Sequence, residues 1–337
     1  MNIGQGSTFG GKKYTDNKSF KLAILEYGLH YGINLVDTGE NYEGGLAEEI
    51  VGEFIKGKRS KVFVSDKFAP INNGNVIKAC ENSLKNLQTD YIDLYSMQWT
   101  NPEIPLSETL GQLETLKQQG KIVNIGVCNL TFNEFKQTNA SYLQSEFSLS
   151  NREALNEVIP YCLNRGKTFV AYNIFNQGHS QPPEYIKELS KKYNKTPYQI
   201  ILAWALSKGI AVLTNTMDFI HLQHNLNALE LKLEPLDLEL IDKSYVKPIE
   251  IPINEIKVIP ETVDDSHKVY TTLEEVLKNA DSIKPNPYVL AEEIKKNGLL
   301  KPVEVKRVNE GYQLIHGSQR FFAWQIAFNK PIPCFVI

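Results

Sequence analysis

Four polar residues fall where short β-branched runs of the sequence end. INLVDTGENY carries Asp37 at the end of a run and Tyr42 in the loop beyond it, VFVSDKF carries Lys67, and IDLYSMQW carries Gln98. Their types suit proton delivery to a carbonyl. A tyrosine hydroxyl, with an ordinary pKa of about 10, is a poor acid at neutral pH. A lysine ammonium beside it stabilises the phenolate and lowers that pKa. A carboxylate beside the lysine orients it and keeps it charged. Asp37, Tyr42 and Lys67 are therefore expected to form a relay in which Tyr42 protonates a carbonyl oxygen as hydride reaches the carbon, with Gln98 alongside. Taken singly, each residue has a blander role: a rim aspartate caps a helix, a loop tyrosine packs, a strand-end lysine points into water. Joint placement on successive strands is what points to catalysis.

Such a placement needs a fold that brings strand ends to one face. Over roughly the first 245 residues, runs at 34–37, 62–67, 92–98, 123–128, 142–147, 168–172 and 210–214 alternate with helical stretches such as 19–29, 46–55, 76–87, 106–118, 153–163 and 198–206. Gly32, Gly57, Gly120, Gly166 and Gly209 mark helix stops. With a first run at 3–7, the count reaches eight βα units and predicts an α/β fold of the (β/α)8 TIM-barrel type, whose chemistry sits where strands give way to βα loops. An open, doubly wound sheet is the alternative.

The chain has 337 residues, 42% of them hydrophobic and 22% charged, which are globular values. No apolar run approaches the roughly 18 residues of a membrane span, and MNIGQGSTFGGKK lacks a basic segment leading into an apolar core, so no secretory signal is expected. Cys80, Cys128, Cys162 and Cys334 are scattered, form no CxxC and have no zinc spacing, so no metal is expected and a cytoplasmic address follows. A net charge of −3 makes a nucleic-acid partner unexpected. The alternation breaks near Tyr245. A proline-rich segment, 246–263, reads as a linker feeding an edge strand, and an α+β unit of mixed helices and strands follows to 337. From Val246 onward this unit carries 12 Lys and Arg against 12 Asp and Glu.

The first unit, residues 1–245, resembles the aldo-keto reductase family. The resemblance rests on INLVDTGENYEGG, VFVSDKF, DLYSMQW, the IGVCN stretch ending at 129, LQSEFSLSNR and VAYNIFNQG. It implies a NAD- or NADP-dependent oxidoreductase acting on a small-molecule carbonyl or alcohol. Of the family's Asp, Tyr, Lys and His catalytic set, the first three map onto Asp37, Tyr42 and Lys67; the histidine maps onto Gln98, which donates a hydrogen bond but carries no proton or charge. The family's nicotinamide contacts map onto Cys128 and Asn129, Gln144 and the stacking Tyr172. Its pyrophosphate loop becomes Asn173-Ile174-Phe175. Its adenosine contacts become Asn215, Thr216, His221 and Asn225, without the usual cations, which leaves NAD against NADP open. The glycine-rich stretch 4–11 is not a Rossmann loop, because no full strand precedes it; as barrel strand one it places Gly6 and Ser7 under the cofactor.

In the second unit, residues 246–337, a glycine turn opens a helix at IHGSQRFF. The Ser318 and Gln319 amides and the Arg320 guanidinium form a candidate phosphate site; otherwise this is an ordinary strand–turn–helix joint. NGLLKPVEV, GYQLIHGSQR and PIPCFVI resemble the ParB/sulfiredoxin-like superfamily, whose GxxR turn matches Gly317, Ser318, Gln319 and Arg320. That resemblance implies a nucleotide partner such as ATP, ADP or CTP. Ser318 stands where sulfiredoxins need cysteine, Gln319 where ParB proteins have the first of two arginines, and His316 where serine kinases have aspartate. Two readings follow: a reductase with a nucleotide- or phosphate-binding appendage, or a catalytically weakened barrel in a nucleotide-binding or phosphotransferase protein.

Overall fold

The computed structural model describes residues 3–7, 18–176, 182–244, 249–260, 263, 268–283, 285–297, 302–328 and 330–336. Positions 8–11 of the glycine-rich stretch and 246–248, 261 and 262 of the expected linker lie outside them. The chain divides into two compact units, Met1–Lys243 and Ser244–Ile337.

In the first unit eight parallel strands close on themselves. They are β1 (Ile3–Gly6), β2 (Leu35–Asp37), β3 (Phe63–Phe68), β4 (Ile92–Met97), β5 (Ile122–Cys128), β6 (Tyr142–Glu146), β7 (Thr168–Tyr172) and β8 (Ala211–Thr214). Pairing of β1 with both β2 and β8 excludes the open sheet. Around them run α1 (Lys18–His30), α2 (Leu46–Ile55), α3 (Val76–Leu87), α4 (Leu106–Gln118), α5 (Phe132–Lys136), α6 (Val158–Asn164), α7 (Glu184–Tyr193), α8 (Pro197–Leu206), α9 (Phe219–Asn227) and α10 (Pro235–Lys243).

Strand side chains alternate between two faces. Here both faces are buried, and they bury different things. Val36, Val64, Phe68, Tyr95, Met97 and Val127 join the large core between strands and helices. Leu35, Val170, Ala211 and Leu213 form a second cluster with Phe63, Tyr142 and Tyr172, which fills the barrel interior. The interior is crowded enough to demand glycine at two strand positions. A Cβ on Gly4 would sit 2.6 Å from Leu35 and 2.7 Å from Leu213, and one on Gly126 would sit 2.1 Å from Ser96 Oγ. The period of two then fixes which polar residues share the interior face. Asp37 follows Leu35, Lys67 follows Phe63 and Ser65, Gln144 follows Tyr142, and Tyr172 follows Val170.

The second unit is a mixed sheet in the order β10-β12-β11-β13-β9. Its elements are β9 (Ile249–Ile251), β10 (Ile256–Lys257), α11 (Leu273–Lys278), α12 (Pro287–Asn297), β11 (Val303–Arg307), β12 (Tyr312–His316), α13 (Ser318–Ala327) and β13 (Ile332–Val336). The proline-rich segment expected as a linker is itself part of this sheet: it carries both edge strands, β9 antiparallel to β13 and β10 parallel to β12. This unit has its own core, in which Val303, Val305, Leu314, Phe321, Phe322, Trp324 and Ile332 meet. Among the described residues no helix is long and apolar enough to cross a membrane.

Candidate active site

At the end of β3, Lys67 points along the barrel interior towards β2. Its Nζ lies 2.6 Å from Asp37 Oδ2 and donates to the Thr38 carbonyl at 2.7 Å. Ser65 Oγ donates to the other Asp37 oxygen at 2.8 Å. Lys67 is 2% and Asp37 4% exposed, so the ion pair is held away from bulk water. Burial by itself would push the Lys67 ammonium down. Asp37 foremost, with Tyr42 and Cys128, outweighs that and holds it above the ordinary lysine value. The ammonium therefore stays charged across the working pH range.

Tyr42 sits in the loop after β2, with its ring 5.0 Å from Lys67 Nζ. The loop is set by its own chemistry. Glu43 takes a left-handed φ of 52°, followed by Gly44 at 68° and Gly45 at 94°. Lys21 of α1, fully buried, reaches over to pair with Glu43 at 2.6 Å. Glu40 accepts from Asn72 and from the Ala69 amide, tying this loop to the one after β3. One expectation is corrected here. The Tyr42 hydroxyl is raised, not lowered, relative to an ordinary tyrosine, because burial outweighs the opposing pull of Lys67 and Asp37 adds to the rise. In the protein alone Tyr42 is a stored proton, neutral at all physiological pH.

Gln98 follows β4. Its amide donates to Phe68 O and its carbonyl accepts from Asn129 Nδ2, both at 3.2 Å, while its side-chain Oε1 is buried with no hydrogen-bond partner. Asn129 follows β5 in a left-handed conformation, φ 58°, and accepts from the Tyr172 hydroxyl at 2.8 Å. Cys128 is packed 3.9 Å from Gln144 Oε1, and burial pushes its thiol up to about 12, which makes it an inert filler. Asp37, Tyr42, Lys67, Gln98, Cys128, Asn129, Gln144 and Tyr172 thus occupy the C-terminal ends of β2 to β7. After β7, Asn173 takes φ 58° and donates to Glu146 at 3.0 Å, and Phe175 packs edge-on against Tyr198 at 5.4 Å.

Gly6 and Ser7 lie at the end of β1. The Ser7 amide donates to Asp37 O at 2.8 Å, and Ser7 Oγ is buried without a hydrogen-bond partner. A Cβ on Gly6 would be 3.5 Å from Asn215, so this edge of the mouth is also the edge of the loop after β8. Thr216 belongs to that loop, whose carbonyl Gln5 Nε2 holds at 3.2 Å. Asn225 is buried on α9 and His221 exposed on it. Sequence reasoning missed Ser65, Thr38 and the Lys21–Glu43 pair. Ser65 was within reach, since it shares the interior face with Lys67; the ion pair was not, because it joins two elements with no local pattern.

Behind the site lies a feature the residue order alone does not show. Asp66, facing outward from β3, is buried with Glu48 of α2, Ser83 of α3 and Tyr95 of β4. Burial, then the neighbouring Glu48, pushes its carboxyl well above the ordinary range, and its Oδ1 accepts from the Lys67 amide at 2.8 Å.

Comparison with known proteins meets this geometry. The sequence model of the Aldo/keto reductase family matches residues 2–246. This chain belongs to that family. It is 32% identical over 261 residues to methylglyoxal reductase YeaE of Escherichia coli, covering 73% of this chain and 91% of that one. It is 35% identical over 189 residues to aldo-keto reductase YhdN of Bacillus subtilis, covering 51% of this chain and 56% of that one. An aldo-keto reductase from Klebsiella pneumoniae, solved with NADP and acetate, superposes with a TM-score of 0.67 at 30% identity, covering 72% of this chain and 90% of that one. The barrel of this aldo-keto reductase is an oxidoreductase scaffold. The model of the ParB N-terminal domain matches residues 243–337.

In that second domain, Gly317 takes φ 94° as the cap of α13 and closes the turn expected from the sequence. Ser318 is buried and Phe321 and Phe322 are core. Arg320 folds back over the turn. Its Nη1 donates to Pro302 O at 3.0 Å, and a Cβ on Gly317 would sit 2.7 Å from its Nη2. Ser318 and Gln319 also line a small surface hollow with Lys268, Tyr270, Ile283 and Phe322. Glu304, buried on β11, faces His316 across the β11–β12 ladder at 4.0 Å. Among the described residues no cluster of His, Cys, Asp and Glu could hold a metal ion.

Proposed function

We propose that the barrel reduces a small aldehyde or ketone, of the methylglyoxal type, with a nicotinamide dinucleotide. The observation that carries this is the buried Lys67–Asp37 pair with Tyr42 beside it. The residues of the mouth fit the cofactor: Asn129 and Gln144 present carboxamides, Tyr172 presents its ring from the interior face, and Ser7 Oγ and Gln98 Oε1 are buried polar atoms without protein partners. A reduced nicotinamide supplies the hydride when bound. Tyr42 gives its proton to the carbonyl oxygen, so the product alcohol gains one hydride and one proton. Lys67, kept charged by Asp37, stabilises the Tyr42 phenolate that remains, and its buried position makes that stabilisation stronger than in water. Gln98 donates to the carbonyl oxygen through its side-chain Nε2. The kinship to a methylglyoxal reductase supports this choice of substrate class. The test is NADH and NADPH fluorescence titration, followed by oxidation of the bound coenzyme with methylglyoxal. Binding with turnover is expected; no binding of either overturns the reading.

For the second domain we infer a phosphate-bearing nucleotide at the Gly317–Arg320 turn. The left-handed Gly317 at the start of α13 and Lys268 in the hollow beside Ser318 and Gln319 support the reading. Calorimetry with ATP, ADP and CTP tests it.

A further inference from the structure

The loops after the last two strands of a (β/α)8 barrel, with the N-terminus of the helix that follows, commonly seat a phosphate. Here that position is chemically inverted. α9 begins at Phe219, and its cap, Asp218, already occupies the helix N-terminus: Oδ1 accepts from the Ile220 amide at 2.7 Å and from the His221 amide at 3.1 Å. Those two amides are the donors that a phosphate would otherwise take. The same bonds hold the Asp218 carboxyl below the ordinary range, so it is anionic at any working pH. From Gly209 to Leu231 the sequence has no Lys or Arg to offset it.

The carboxylate is also fixed in place. Phe219 packs edge-on against Phe20 at 5.4 Å and Tyr27 at 5.3 Å, and Tyr27 Oη donates to Gln223 at 2.5 Å, so the first turn of α9 is locked to α1. Gln5 of β1 holds the Thr216 carbonyl two residues earlier. Asp218 is exposed, and its bonds to the helix run through Oδ1 alone.

We propose that Asp218 makes this reductase select a dinucleotide with a free ribose diol, NADH, over its 2′-phosphorylated counterpart. This rests on the reading of the barrel as nicotinamide-dependent. A ribose hydroxyl donates to the carboxylate; a 2′-phosphate meets an anion, finds its amide donors taken, and has no arginine or lysine in the loop or helix to bind it. The test compares wild type with Asp218→Asn and Asp218→Ser, both of which still cap a helix. Dissociation constants are read by nicotinamide fluorescence for NADH and NADPH, and by calorimetry for ADP-ribose and 2′-phospho-ADP-ribose. Wild type should bind the unphosphorylated ligands at least tenfold more tightly. Both variants should gain affinity for the phosphorylated ligands by about threefold to tenfold, with the unphosphorylated ones unchanged or weakened. Tighter NADPH binding by wild type, or equal changes for both ligand classes in the variants, overturns the proposal and leaves the reductase reading standing. Binding of neither coenzyme overturns both.

Discussion

The barrel mouth and the Gly317 turn, the two proposed ligand sites, are built in opposite ways. Asp37, Tyr42 and Lys67 come from two successive strand ends and the loop between them, and the fold buries them together until the ion pair is 2.6 Å long and almost without water. The turn is four consecutive residues, and one of its cation's donors is held by the backbone: Arg320 Nη1 is bonded to Pro302 O. A site assembled across the sheet inherits the low dielectric of the core, so each charge shifts its neighbours. A local motif has only its own donors, and the surrounding chain decides whether they face a ligand.

The sharpest way to break this contrast is Tyr42→Phe. It should lower kcat for carbonyl reduction by roughly 10²–10⁴-fold, the usual worth of a positioned acid, with coenzyme affinity unchanged. Retained activity in a steady-state assay would remove Tyr42 from the relay. Arg320→Ala comes next. Charged hydrogen bonds are worth roughly 1.5–3 kcal/mol, so nucleotide affinity measured by calorimetry should fall about tenfold to a hundredfold. Barrel turnover should not move, since the two cores are distinct. Loss of both functions together would mean that the domains are coupled.

Gln98→His probes the barrel more gently. Imidazole donates from a cationic form and glutamine does not, so reduction of a generic aldehyde should rise by a few-fold, on the order of tenfold at most, and most at acidic pH. A fall in rate would show that the carboxamide serves the substrate in another way.

The smallest effect concerns Asp66. Its folded carboxyl is raised above the unfolded value, so the stability it contributes is fully present below the ordinary carboxylate range and is lost as pH rises towards the raised value. Asp66→Asn keeps an acceptor for the Lys67 amide and removes the charge. Thermal melts should show the variant higher by roughly 2–4 °C at pH 8 and equal to wild type near pH 4. A uniform offset at both pH values would assign the effect to packing.

Much of this was legible in the sequence. The βα alternation narrowed the fold to a closed barrel or a layered parallel sheet, because short β-branched runs separated by amphipathic helices can bury both faces of a parallel sheet only by closing it or layering it. The ends of those runs named Asp37, Lys67 and Gln98, since strand ends and loop starts share one rim. Gly317 was readable as a turn because a left-handed residue before an apolar helix has few alternatives. Closure rather than layering was decided by packing, with Gly4 and Gly126 leaving room for Leu35, Leu213 and Ser96 inside. Only the tertiary structure set the direction in which Tyr42 titrates, since burial and Lys67 oppose each other and their balance depends on depth and distance. Only it paired Lys21 with Glu43, brought Glu48 against Asp66, and turned Arg320 onto Pro302. Those are contacts between residues with no periodic relation in the chain, and their energies come from desolvation, which a residue acquires from its neighbours in space.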